Sequence, residues 1–219
     1  MLPEYDIISS GSKGNAVVLN GTVLVDCGVP FKMLKPHVPK LQIVLLTHIH
    51  GDHFNAATIR RLAQERPSLR FAACEWMISP LVDAGVRPAN VDVLFDGLLY
   101  KYSGFSISPF VLTHDVPNCG YKISFRSAES RVFYATDTLN LNGISAKGYD
   151  LYLIEGNYSD DEIRQRISDK KVNGEYAYEY RVMKYHQSKA SCDDWLARNM
   201  TGNSYFIYMH EHALMHEAL

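Results

Sequence analysis

The stretch Thr47-His48-Ile49-His50-Gly51-Asp52-His53 contains three histidines and one aspartate within six residues. An apolar run at residues 41–46 precedes it and predicts a buried strand, and residues 55–66 follow it with apolar side chains at helical spacing. The loop therefore connects a strand to a helix. In extended backbone its first two histidines project to the same side, whereas the aspartate and the last histidine follow the glycine, where the chain turns. Two imidazoles can thus bind one metal ion while a carboxylate and a third imidazole bind another.

The spacing His-x-His-x-Asp-His after an apolar strand resembles the most specific motif of the metallo-β-lactamase-fold hydrolases. A second resemblance lies near the N-terminus, where Ser10-Gly11-Ser12-Lys13-Gly14-Asn15 is followed by Leu24-Val25-Asp26-Cys27-Gly28. This succession is similar to the start of the small bacterial members of the family. In those members the aspartate of the third strand supports the metal loop, so the resemblance gives that role to Asp26. An ordinary carboxylate in a strand-end turn is the alternative interpretation.

The composition predicts one ordinary globular domain over residues 1–219. Hydrophobic residues make up 47% and charged residues 21%, and no Pro-, Gly- or Ser-rich linker divides the chain. The formal net charge of −2 gives no overall attraction to duplex nucleic acid or to an anionic membrane. The four cysteines are isolated, which favours reduced core thiols over a zinc–cysteine site. With no basic leader and no run of about 18 apolar residues, we expect a cytoplasmic protein without membrane contact.

The remaining sequence predicts two β-rich halves with helices outside each. Predicted strands occupy residues 5–9, 16–19, 23–26, 69–73, 91–95, 105–112, 119–125, 131–136, 151–155 and 204–209. Predicted helices occupy residues 160–171 and 188–199, and a further helix at 75–84 is expected to be interrupted by Pro80. Two sheets with outer helices place the chain in the α/β class as a four-layer αββα sandwich, which is the fold that the family resemblance implies.

Three further metal-ligating side chains stand at predicted strand ends in the second half, namely His114, Asp137 and His210. Side chains at the carboxyl ends of strands converge where ligands bind. Each residue alone would be ordinary, but their order after the loop motif matches the remaining ligand positions of the family. Relatives usually have His-Leu-Ser at the last position. This chain has His-Glu-His there, so His212 is the alternative to His210.

These residues divide between two divalent metal ions. We expect the first ion at His48, His50 and His114, the second at Asp52, His53 and His210, and Asp137 between them. Imidazole and carboxylate donors favour zinc, with manganese and iron as alternatives. Two such ions can hold a bridging hydroxide and neutralise the charge that develops on a phosphoryl group. Asp52 is expected to orient that hydroxide.

A further histidine lies in Tyr185-His186-Gln187-Ser188, just before a predicted helix. The sequence resembles the His-x-Ser element of the phosphodiesterase branch of the family, which includes the tRNA 3′-processing nucleases. In that branch the histidine donates a proton to the leaving oxygen and a glutamate on the preceding strand orients it. The resemblance gives these catalytic roles to His186 and Glu155. A surface histidine ahead of a helix is the alternative.

We therefore expect a metal-dependent phosphodiesterase that acts on cyclic nucleotides, other small nucleotides or single-stranded nucleic-acid ends. A lactone or thioester hydrolase of the same fold is the first alternative and does not need the pair His186 and Glu155. A non-enzymatic metal-binding protein is the second, and it would be expected to lack one of the ligands, all of which are present here. Arginines and lysines are interleaved with tyrosines in residues 164–189. The cations could bind phosphate and the tyrosine rings could stack on bases. A solvated helix face followed by a tyrosine-rich loop is the alternative. The sequence leaves a homodimer open.

Overall fold

The computed structural model describes residues 2–210 and contains two six-stranded β-sheets. The first sheet has its strands in chain order: β1 (Tyr5–Ser9), β2 (Ala16–Leu19), β3 (Val23–Val25), β4 (Ile43–Leu46), β5 (Arg70–Cys74) and β6 (Val91–Leu94). Strands β1 to β3 are antiparallel, and β3 to β6 are parallel. Asn20 and Gly21, between β2 and β3, have positive φ of 45° and 63°. A type I′ turn requires positive φ at both central positions, and Asn-Gly is suited to it.

The second sheet repeats this division into antiparallel and parallel parts. Its strands are β7 (Tyr100–Lys101), β8 (Phe105–Leu112), β9 (Asn118–Phe125), β10 (Ser130–Ala135), β11 (Leu151–Glu155) and β12 (Tyr205–Met209), again adjacent in chain order. Strands β7 to β10 are antiparallel, and β10 to β12 are parallel. The helices are α1 (Phe31–Leu34), α2 (Ala56–Glu65), α3 (Ile78–Asp83), α4 (Asp160–Val172), α5 (Glu179–Tyr185) and α6 (Lys189–Asn199).

The two sheets pack face to face, and helices cover their outer faces. In β4 alternate residues divide between two cores: Ile43 and Leu45 pack against the second sheet, whereas Val44 and Leu46 pack against the helical layer formed by α1, α2 and α3. On the other side α6 covers the second sheet, where the ring of Trp195 stacks on Phe133 with centroids 4.9 Å apart. This arrangement confirms the four-layer αββα sandwich.

The helices differ from expectation in three places. The segment 75–84 is not broken at Pro80. A 3₁₀ turn at Glu75–Met77 is followed by α3, which begins at Ile78. Pro80 therefore lies in the first turn of α3, where its missing N–H removes no helical hydrogen bond. The short helices α1 and α5 lie in segments for which the sequence predicted none. No helix within residues 2–210 is both long and apolar enough to cross a membrane.

The parallel strands bring polar residues to one edge of the sandwich. Strand β3 is followed by Asp26, β4 by the histidine-rich loop, β10 by Asp137, and β12 by His210. Glu155 is the last residue of β11. Since the carboxyl ends of neighbouring parallel strands meet at the same edge, these side chains converge there.

Candidate metal centre

The buried carboxylate of Asp26 holds the histidine-rich loop. Its Oδ1 accepts hydrogen bonds from the backbone N–H and the hydroxyl of Thr47 at 3.0 and 2.9 Å. Its Oδ2 lies 2.7 Å from His53 Nδ1 and accepts a hydrogen bond from the hydroxyl of Tyr134 at 3.1 Å. Because Nδ1 faces this carboxylate, His53 Nε2 is left to face the centre of the cluster. The supporting role expected for Asp26 thus has a direct geometric basis.

Backbone contacts fix the other side of the same loop. The backbone N–H of Asn15 donates to the carbonyl of Asp52 at 2.6 Å, and the side-chain Nδ2 of Asn15 lies 2.8 Å from His53 Nε2. Gly28 passes directly beneath the loop, where a Cβ would stand 1.7 Å from the carbonyl oxygen of Asp52. Any side chain at position 28 would therefore displace the loop, and this close approach explains why the sequence has glycine there.

Asp26→Asn is expected to weaken metal binding by about 10- to 100-fold, the usual cost of losing a partner that orients a ligand. Asparagine keeps the shape and tolerates the positive φ of 59° at this position, but its amide NH₂ cannot accept the hydrogen bonds that the carboxylate accepts. Competition with a chromophoric chelator measures the affinity. Asp6→Asn, a change at an exposed aspartate of β1, is the matched control, and equal affinities in the two variants would contradict the role of Asp26.

The first group of donors consists of His48, His50 and His114, whose ligating nitrogens all lie within 4.8 Å of one another. His50 Nδ1 is 3.2 Å from His48 Nε2 and 3.4 Å from His114 Nε2. Burial lowers the pKa of His48, and the neighbouring His53 lowers it further. Burial also lowers the pKa of His114, against the opposing effect of Asp137. Both imidazoles are thus neutral, the form that binds a metal ion.

The second group consists of Asp52, His53 and His210. Asp52 Oδ2 lies 3.3 Å from His210 Nε2 and 3.8 Å from His53 Nε2. Both groups therefore have the membership expected from the sequence. His212, the alternative last ligand, lies outside the described residues.

Asp137 lies between the two groups. Its Oδ2 is 2.8 Å from His53 Nε2, and its Oδ1 is 3.5 Å from His210 Nε2 and 4.0 Å from His114 Nε2. Burial raises the pKa of Asp137, but His53 and His210 act in the opposite direction and hold it well below its usual range. The carboxylate is therefore ionised. Its buried Oδ2 faces His53 Nε2, so a carboxylate oxygen and an imidazole nitrogen, both common metal ligands, lie side by side there. The donors thus fit two divalent ions, and the ligand roles stay predictions.

Metal binding at pH 7 is expected to release roughly two protons per chain. Burial lowers the pKa of His53, yet Asp137 and Asp26 outweigh burial and raise it well above its usual value. Burial also lowers the pKa of His210, but Asp137, Asp52 and Glu155 outweigh burial and raise it to about 10. Before an ion binds, both side chains are therefore imidazolium ions at pH 7, with a proton on each ring nitrogen. Each must lose one of these two protons to coordinate a metal ion.

Zinc affinity should consequently fall as the pH decreases. Calorimetric titrations in two buffers with different ionisation enthalpies measure the number of protons released. Binding heats that do not depend on the buffer would refute this prediction.

His186 joins the cluster from the loop that precedes α6. Its Nδ1 lies 2.7 Å from Glu155 Oε1, and its ring stacks on His210 with centroids 5.4 Å apart. Asp137, Glu155, His186 and His210 together form another group that could hold an ion. The structure thus brings His186 and Glu155 together as expected, while their geometry permits either a proton-donor or a ligand role.

Sequence reasoning missed two polar residues of the site. Asn157 Nδ2 donates to the carbonyl of His210 at 2.7 Å and lies 3.4 Å from Glu155 Oε1. Asp115 Oδ1 lies 3.1 Å from His114 Nε2 and 3.4 Å from His50 Nε2. The only signal in the sequence was their position, since each follows a predicted site residue by one or two positions.

Comparison with known proteins places this geometry in a family. A model of the β-lactamase superfamily domain matches residues 22–183. The crystal structure of the metallo-β-lactamase fold protein YhfI from Bacillus subtilis has a TM-score of 0.72 and 17% identity, and the match covers 97% of this chain and 88% of that one. The human tRNase Z short form, ELAC1, has a TM-score of 0.67 and 15% identity, with coverage of 95% and 92%.

A metallo-β-lactamase with a HARLDQ motif from Cronobacter sakazakii is a more distant neighbour, with a TM-score of 0.51, 16% identity and coverage of 68% and 76%. None of the curated proteins matches the sequence. The matched domain spans more than half of the chain, and both of the other neighbours share its two-sheet sandwich over nearly its whole length. The chain therefore belongs to the β-lactamase superfamily and has the metallo-β-lactamase fold.

Proposed function

We propose that the protein is a dinuclear metal-dependent phosphodiesterase that hydrolyses cyclic nucleotides, other small nucleotides or single-stranded nucleic-acid ends. The observation that carries this proposal is the contact of 2.7 Å between His186 Nδ1 and Glu155 Oε1. The same nitrogen of His186 lies 3.7 Å from Asp137 Oδ1. A phosphodiester with a sugar leaving group requires a proton at the departing oxygen, and an oriented imidazole beside the metal ligands is suited to deliver it.

The two donor groups and Asp137 would hold two divalent ions, zinc first, with manganese or iron as alternatives. Bound there, the ions would supply Lewis-acid stabilisation of the phosphoryl charge and a lowered pKa for the attacking water. Asp52 has a partly exposed side chain at the edge of this cluster. Its carboxylate can accept a hydrogen bond from that water and so orient it toward the phosphorus.

His186 is held ready to donate. Burial lowers its pKa, but the hydrogen bond and the charge of Glu155 outweigh burial and raise it. Because Glu155 accepts the hydrogen bond from Nδ1, the proton on Nε2 is the one available for transfer. This arrangement gives the two residues separate tasks: the imidazole protonates the leaving oxygen, and the glutamate fixes its orientation and favours its charged form.

The comparisons identify the fold and leave the substrate to be argued from the site. One structural neighbour bears the name tRNase Z, and at 15% identity its likeness concerns the fold. The net charge of −2 favours a small substrate bound by local contacts over a long polyanion, since a long duplex is held mainly by charge.

The proposal is tested with one zinc- or manganese-loaded preparation and a panel of substrates. The panel contains bis-p-nitrophenyl phosphate, cyclic nucleotides, single-stranded and duplex oligonucleotides, lactones and thioesters, and the chelated protein is the control. We expect metal-dependent hydrolysis of the phosphodiesters, with weak activity on long duplexes. Activity confined to lactones or thioesters would replace the proposal with the alternative hydrolase, and no activity on any member would favour a metal-binding protein.

A further inference from the structure

The cations in residues 164–189 differ in what they face. Lys170 forms an ion pair of 2.8 Å with the buried carboxylate of Glu179. Arg166 lies 3.9 Å from Glu162, one turn away on α4. These cations are engaged within the helical segment itself, so the basic composition of the segment does not by itself create a phosphate site.

Arg181 has a different environment. From α5 its Nη2 donates a hydrogen bond of 2.8 Å to Asp115 Oδ2, and the other oxygen of Asp115 lies 3.1 Å from His114 Nε2 and 3.4 Å from His50 Nε2. The carboxylate of Asp115 thus lies between the guanidinium and the three-imidazole group. The end of the same helix is also fixed there, because His114 Nδ1 lies 3.3 Å from the carbonyl oxygen of Tyr185.

The Arg181 side chain remains accessible to a ligand. It is 69% exposed, and the bond to Asp115 uses only one of the five N–H donors of the guanidinium. The side chain of Asp115 is mostly buried and accepts this bond through Oδ2, so the carboxylate fixes the arginine from the protein side. A planar guanidinium with free donors matches the paired oxygens of a phosphate.

We infer that Arg181 binds the phosphate of the substrate beside the three-imidazole group, and that Asp115 positions the guanidinium for this contact. The inference rests on the proposed function and deepens it. A cation at this point favours anionic diesters over neutral esters, so Arg181 determines the substrate class. Asp115 is a positioning residue, since it acts through the arginine.

Arg181→Gln is expected to raise KM for bis-p-nitrophenyl phosphate and for a cyclic nucleotide by about 10- to 100-fold, the effect of one lost hydrogen bond between charged groups. The value of kcat should change far less, because the contact exists in both the ground state and the transition state. KM for a neutral ester, p-nitrophenyl acetate, should stay unchanged. Arg166→Gln is the matched control on α4, and Arg181→Lys should restore part of the binding because it keeps the charge but not the planar fork.

A measurement of binding without turnover complements the kinetics. Calorimetry with thymidine 5′-monophosphate should show the same loss of affinity in metal-loaded Arg181→Gln. Asp115→Asn should weaken binding less than Arg181→Gln, and the double variant should bind no worse than Arg181→Gln alone, because the two residues act as one unit.

The outcomes separate this inference from the proposed function. A wild-type protein that hydrolyses phosphodiesters, with Arg181→Gln indistinguishable from Arg166→Gln, would overturn the inference and leave the function standing. A loss of bound metal in Arg181→Gln would also overturn it, since the residue would then maintain the site instead of binding phosphate. A wild-type protein that neither hydrolyses phosphodiesters nor binds the monophosphate would refute both.

Discussion

Asp137→Asn is expected to lower the metal-dependent turnover of bis-p-nitrophenyl phosphate by about 10³-fold or more, because the transition state would lose several kcal/mol of stabilisation from the ions. Asp137 is the buried carboxylate that reaches both donor groups, through His53 on one side at 2.8 Å and His114 on the other at 4.0 Å. The variant should therefore bind fewer than two ions per chain. Elemental analysis and steady-state kinetics measure the two effects.

The fold should survive this substitution. Asparagine has nearly the same shape, and it tolerates the positive φ of 55° found at position 137. The backbone carbonyl of Asp137 would still accept the hydrogen bond of 2.7 Å from Asn118. Circular dichroism should accordingly show native secondary structure, so that a loss of activity is assigned to the site.

Asp52→Asn is the informative comparison. Among the candidate donor groups of residues 2–210, Asp52 belongs to the second group alone, so its variant should retain the ion at the three-imidazole group while losing most turnover. Two bound ions and near-normal turnover in Asp137→Asn would show that Asp137 does not bridge the groups. Equal metal loss in both variants would show that the groups do not act separately.

The sequence predicted the parts of the site that depend on regular structure. The histidine-rich loop could be placed because apolar β4 and amphipathic α2 define where the chain leaves the sheet. His114 and Asp137 could be proposed because each follows a β-rich run and because their order after the loop motif matches the remaining ligand positions of the family. The strand ends alone would not have distinguished them from ordinary polar residues.

The parts that the sequence did not predict depend on contacts between distant segments. Asp115 looked like an ordinary residue after a strand, and its proximity to Arg181 depends on how α5 packs across the end of β8. Helix α5 itself was not predicted, because a short polar segment with several tyrosines has no clear helical periodicity. The support from Asn15 depends on a hydrogen bond between residues that are far apart in the chain, and such bonds leave no spacing pattern.

His186→Ala is expected to depress turnover of a dinucleotide by about 10²- to 10⁴-fold, the usual contribution of a general acid, while hydrolysis of bis-p-nitrophenyl phosphate changes little. The contrast follows from the leaving groups: a sugar alkoxide needs a proton as it departs, whereas p-nitrophenolate does not. His37→Ala, at a partly exposed histidine next to Asp6, is the matched control.

Elemental analysis of the same preparations distinguishes the two roles that the geometry permits, because a proton donor can be removed without loss of metal. Equal losses on both substrates with both ions retained would make His186 a structural residue, and loss of an ion would make it a ligand in the group formed with Asp137, Glu155 and His210.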